Sequence, residues 1–246
     1  MNLLEVAGLE AGYGLLSAVR GLTLNVAAGE VLALVGANGA GKTTLLRTIA
    51  GAHAARSGSV RLQSEDVTHL PAHQRVTRGI ALVPEGRRLF QEMTVGDNLR
   101  VASRVGRPGP WTIDAVTHAF PFMKARWRAR GGDLSGGQQQ AVAIGRALLA
   151  NPLLLMLDEV SLGLSPVAVN LLYESMAALI ASGTTILLVE QDLRRALRVS
   201  HRVVCLLEGR IVLERAAAEA SHAEIVAAYF GLGRSPDGAL RPEAPI

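Results

Sequence analysis

Apolar residues fall in short runs divided by glycine, proline and charge. Runs at residues 3–6, 22–26 and 31–35 open the chain, with further short segments at 59–62 and 80–83. Apolar runs of this length, bounded by turn residues, predict strands. Gly29-Glu30 supplies a tight link before the third of them. From about 90 to 150 the apolar spacing becomes helical, broken by glycine and proline at 106–110. This predicts a helical insert. Strand-like runs return at 153–157, 185–189 and 203–207, with a helical stretch at 167–181 between the first two. Strands alternating with helices predict an α/β fold on a mostly parallel, covered sheet. Residues 231–246 are rich in glycine, proline and charge and read as a frayed tail. The chain has no internal repeat.

Three segments on this scaffold carry chemistry. Gly36, Ala37, Asn38, Gly39, Ala40, Gly41, Lys42 and Thr43 fit G-x-x-x-x-G-K-[ST]. The motif stands where it must, after an apolar strand and before a helix over 42–50 with Gly51 as its stop. Glycines let the backbone curl around phosphate oxygens, and the helix N-terminus adds a favourable dipole. Lys42 offers a point charge to the β and γ phosphates, and the Thr43 hydroxyl, with Thr44 beside it, reaches a bound Mg²⁺ or phosphate. Leu153 to Leu157 then form a buried strand that ends in Asp158 and Glu159. Acids at the C-terminal end of a parallel strand face the ligand crevice. Asp158 is suited to hold Mg²⁺ and Glu159 to activate water as a general base. Leu134, Ser135, Gly136, Gly137 and Gln138 open an apolar helix over 139–150. They form a second helix end able to clasp phosphate, and the same nucleotide needs only one. It makes sense closing over the nucleotide of a second protomer.

Bulk composition narrows the reading slightly. Apolar residues make up 49% of 246, enough for a sizeable core, and 25 basic against 21 acidic residues leave a net charge of only +4. That excess does not support nucleic-acid binding. The densest basic run (Lys124, Arg126, Arg128, Arg130) reads as a solvated face. Cys205, the single cysteine, sits in an apolar run and reads as a small buried hydrophobe. No stretch reaches the roughly 18 apolar residues of a membrane span. Residues 1–7 lack the features of an export signal, so the chain is expected to be soluble, with any membrane role coming through a partner.

The three motifs in this order resemble the ATP-binding-cassette ATPases, over about residues 3–229. The resemblance implies a P-loop NTPase core of RecA type with an N-terminal antiparallel β part. It places the core at 1–89 and 151–230 and an inserted helical subdomain at about 90–150. It also implies two subunits sandwiching two ATP with Mg²⁺, so that Ser135, Gly136, Gly137 and Gln138 act in trans. Tyr13 matches the aromatic that stacks on adenine; the alternative is an exposed tyrosine at a strand end. Residues 83–90, 161–166 and 188–191 are similar to the second ATPase subunit of branched-chain amino-acid importers. That likeness implies a second ATPase chain, two membrane permeases, a solute-binding protein and a place on the cytoplasmic face of the membrane. Another transporter's ATPase and a soluble cassette protein remain as alternatives. The chain departs from the general pattern in carrying Glu85 where most members have glutamine, and Gln191 where most have histidine. Glu85 is expected to act through metal or water, and Gln191 to serve catalysis by donating its amide.

Overall fold

Residues 31–35 lie at the heart of the molecule as strand β3 (Val31–Val35), buried at every position. The structure is a computed structural model that describes residues 2–181 and 183–232. The tail expected over 231–246 falls outside the described residues from 233 onward.

Strands β3, β6 (Ile80–Val83), β7 (Leu154–Asp158), β8 (Thr185–Val189), β9 (Arg202–Leu207) and β10 (Arg210–Ala216) form one sheet in the order β10-β9-β3-β8-β7-β6. All its pairings are parallel except that of β10 with β9. Alternate residues along each inner strand feed opposite cores. Leu154 and Met156 join the cluster under β1 (Asn2–Tyr13), β2 (Leu16–Ala27), β4 (Ser57–Leu62) and α1 (Lys42–Ile49). Leu155 and Leu157 join the cluster under the helical insert. A parallel sheet covered on both faces therefore reads as an unbroken apolar run. The run expected at 153–157 is strand from 154 to 158, since Leu153 N–H donates to the Gly79 carbonyl before the ladder begins.

The N-terminal strands form a second, antiparallel sheet in the order β2-β1-β4-β5, with β5 at Glu65–Asp66. The runs at 3–6 and 22–26 are parts of two 12-residue strands. Register shifts after Val6, Leu9 and Ala11 break the inside–outside alternation, which hides the outer halves from periodicity.

The helical insert holds α3 (Val95–Ser103), α4 (Ile113–Ala119), α5 (Phe122–Ala125) and α6 (Gly136–Leu148), with the expected break between α3 and α4. It follows α2 (Ala72–Arg78), which the apolar pattern does not reveal. Arg75 of α2 is buried and donates to the carbonyls of Thr48, Ile49, Thr68 and Leu70, tying down the C-terminal end of α1. Beyond the insert come α7 (Pro166–Ala181), α8 (Leu193–Val199) and α9 (His222–Phe230). Cys205 is buried beside α8 and α9, and burial pushes its thiol up to about 11, as befits a small hydrophobe. Lys124, Arg126, Arg128 and Arg130 are all exposed. Among the described residues no helix is long and apolar enough to cross a membrane.

Candidate functional site

The glycine-rich loop links β3 to α1 in the way its sequence demands. Gly36 and Gly41 have φ of 148° and 103°. A Cβ on either would lie 2.3 Å from the Leu206 carbonyl or 2.2 Å from the Ala18 carbonyl, so only glycine fits. The hairpin tip between β9 and β10 backs the loop: Gly209 N–H donates to the Ala40 carbonyl at 3.0 Å. Lys42 is buried, and its Nζ donates to the carbonyls of Gly36 (2.7 Å) and Ala37 (3.1 Å). Thr44, the third residue in the helix, is also buried. Asn38 and Gly39 are exposed at the tip.

The acids at the end of β7 meet this loop. Asp158 Oδ1 accepts from Thr43 Oγ1 at 3.2 Å. Glu159 follows in the left-handed region with φ of 48°, an uncommon conformation for this residue type, and its N–H donates to the Val189 carbonyl. That turn sends the side chain to Lys42, whose Nζ lies 3.6 Å from Glu159 Oε1. Gln191 Nε2 donates to Glu159 Oε2 at 2.6 Å and lies 3.4 Å from Asn38 Oδ1. Segments around 38, 42, 159 and 191 thus converge on one point, an arrangement able to hold a polyphosphate and orient a water.

Burial pushes Asp158 up to about 6, helped by the charges of Glu159 and Glu85 and opposed by the Thr43 hydroxyl. The folded chain thus holds this proton more tightly than the unfolded chain, and ionising Asp158 removes stability as pH rises from about 4 to about 6. Asp158→Asn stays neutral throughout. Without nucleotide or divalent metal it is expected to overtake the parent across that window, by up to about 3 kcal/mol above it. Denaturant unfolding of both chains from acid to neutral pH checks this; parallel pH profiles would contradict it.

The remaining candidates lie around this centre. Glu85 is exposed in a turn, near enough to act on the charge of Asp158. Tyr13 ends β1 half-exposed, with its ring centroid 4.5 Å from that of His53, so one face is packed and the other is open to a stacking partner. Ser135 caps α6: its hydroxyl accepts from Gln138 N–H, while the Gln138 side chain accepts from Ser135 N–H. Gly136 and Gly137 begin the helix, and a Cβ on Gly137 would lie 2.6 Å from that of Ala168 in α7.

Two contacts near the site lie within segments 83–90 and 188–191, but the sequence does not show their partners. Arg87 donates to the Gln139 side chain of α6 at 3.0 Å. Glu190 is buried and takes a hydrogen bond from Tyr173. The capping pattern Ser221-x-x-Glu224 was available as a signal for α9, and Ser221 does cap it.

The sequence profile of the ABC transporter family matches residues 19–161. A curated relative, the high-affinity branched-chain amino acid transport ATP-binding protein BraG of Pseudomonas aeruginosa, is 41% identical over 222 residues, covering 89% of this chain and 95% of its own. The chain belongs to the ABC transporter ATPases. It is an ATP-binding and ATP-hydrolysing subunit. The probable branched-chain amino acid transport ATP-binding protein LivF of Archaeoglobus fulgidus is 36% identical over 88% of this chain and 93% of its own. The Nod factor export ATP-binding protein I of Rhizobium meliloti is 37% identical over 86% of this chain but only 63% of its own. Among solved structures, an ATP-binding subunit of an ABC transporter superposes with a TM-score of 0.77 at 31% identity, over 96% of each chain. An ABC cassette in its ADP conformation gives 0.79 at 26% identity, over 94% of this chain and 95% of that one.

Proposed function

We propose that this ABC ATPase powers an importer of branched-chain amino acids, working as half of an ATP-sandwiching pair. The observation that carries the catalytic half is the convergence of Lys42, Glu159 and Gln191 on one point beside Thr43 and Asp158. In this reading Gly36 to Thr43 wrap the phosphates, Lys42 neutralises the β and γ groups, and Tyr13 stacks on adenine. Glu159 takes the proton of the attacking water. Gln191 fixes the orientation of Glu159 through its amide and needs no proton of its own. Ser135, Gly136, Gly137 and Gln138 complete the site of the second ATPase subunit.

Mg²⁺ fits the acid end of this centre. Among the described residues no group of three acids, histidines or cysteines could cage a metal. One hydroxyl and one carboxylate 3.2 Å apart, with substrate phosphate and water, suit Mg²⁺, which keeps much of its hydration. Thr43 and Asp158 would hold it, with Glu85 reaching it through water, and the ion would offset charge on the phosphates.

The importer assignment is supported by relatives named for branched-chain amino acid transport that match almost end to end. The Rhizobium meliloti exporter relative extends well beyond the matched region. The partners would be a second ATPase chain, two permeases at the cytoplasmic face of the membrane and a solute-binding protein. Reconstituting the chain with such permeases and binding protein in liposomes should give ATP-driven uptake of leucine, isoleucine or valine. Stimulation of ATPase by another solute class, and none by these, would overturn the assignment.

A further inference from the structure

Tyr173 lies in the middle of α7, and its hydroxyl is 2.5 Å from Glu190 Oε1. Glu190 is 1% exposed and directly follows β8. Its other oxygen, Oε2, accepts from the backbone N–H of Gln191 at 3.2 Å. The Gln191 side chain in turn donates to Glu159. These contacts close a ring. From Glu159 the chain runs through a turn into α7 and on to Tyr173, and two side chains lead back from there to Glu159.

A buried carboxylate without donors is unstable, so Glu190 must be held by what it touches. Burial and the charge of Glu190 keep the Tyr173 phenol far above its ordinary value, so it stays a donor. Both oxygens of Glu190 are then committed, one to α7 and one to the Gln191 amide. A shift of α7 against β8 either breaks the Tyr173 contact or carries Gln191 with it.

α7 also has a reason to shift. Its first turn touches the first turn of α6 so closely that Gly137 has no room for a Cβ beside Ala168. Ser135 to Gln138, proposed to grip the second subunit's nucleotide, thus lean on the helix that carries Tyr173.

We infer that Tyr173 and Glu190 are positioning residues that hold Gln191 against Glu159 and convey the state of the α6 N-terminus to the hydrolytic centre. This rests on the reading of Glu159 as the base. Neither residue touches the nucleotide; they act through Gln191.

The test is a double-mutant cycle on the full chain with MgATP. Tyr173→Phe should lower kcat about tenfold with KM for ATP unchanged, as loss of one oriented hydrogen bond predicts. In a Gln191→Ala background the same change should have almost no further effect, because the path is already cut. Glu190→Gln, which keeps one acceptor and loses the charge, should fall between parent and Tyr173→Phe, and it replaces Tyr173→Phe if that variant does not fold. Equal losses in both backgrounds, or a raised KM with kcat intact, would overturn the relay. Normal turnover by Glu159→Gln would refute the base assignment instead, while the Tyr173–Gln191 coupling would still report on the relay itself.

Discussion

Glu159→Gln is expected to hydrolyse ATP about a hundred- to ten-thousand-fold more slowly than the parent while binding it at least as tightly. The substitution is nearly isosteric, so the contact with Gln191 can survive as an amide pair. What disappears is the only feature of the side chain that can accept a proton from water. The charge change also favours binding. Glu159 pairs with Lys42 at 3.6 Å and adds to the field that pushes up Asp158. Neutralising it frees Lys42 for phosphate and relieves repulsion of an anionic ligand. Single-turnover hydrolysis and equilibrium binding of a fluorescent ATP analogue separate the two effects. Residual hydrolysis above a tenth of the parent rate would show that another group takes the proton.

Arg75→Met is expected to be the most destabilising single change away from the site, by about 3–5 kcal/mol. The guanidinium is 2% exposed and, among the described residues, forms no salt bridge; it makes four hydrogen bonds of 2.6 to 2.8 Å to main-chain carbonyls. Two of these, Thr48 and Ile49, are carbonyls at the C-terminal end of α1, where a positive charge also meets the helix dipole. Methionine fills the space but removes all four donors; among the described residues only the Thr48 carbonyl keeps another, from Gly51 N–H at 3.1 Å. Arg75→Lys should recover only part of the loss, since one ammonium cannot match a planar fork spread over four oxygens. Denaturant unfolding of the three chains measures the order; equal midpoints for parent and Arg75→Met would refute it.

These cases mark what was legible in the sequence. The phosphate loop, the acidic strand end and the α6 cap are local: a few consecutive residues hold both the geometry and the chemistry, and each stands where it was read. The six-stranded sheet was legible too wherever its strands are buried on both faces. Edge strand β10 was not, because only Leu213 in it is buried. Tyr13 at the end of β1 was singled out by likeness to the family alone. The pairings of Arg75, Arg87 and Glu190 were invisible for another reason. Arg75 meets α1 at a separation of 26 or 27 residues, Arg87 meets Gln139 at 52, and Tyr173 meets Glu190 at 17. No periodicity records such pairings, since they depend on how the elements stack. Gln191 was read as an amide donor, but its partner was not; the structure gives that partner as Glu159.

The hairpin tip behind the phosphate loop has a consequence in time. Gly36 to Thr43 are made well before Gly209, whose backbone props the loop, and β3 lies between β8 and β9. Long-range pairings of this kind form late and slowly. A nascent chain that has not yet emerged as far as β9 therefore carries its nucleotide motif complete in sequence but unshaped in space. The ability to take up ATP therefore waits until β9 has been made, and a chain that stalls before it stays silent.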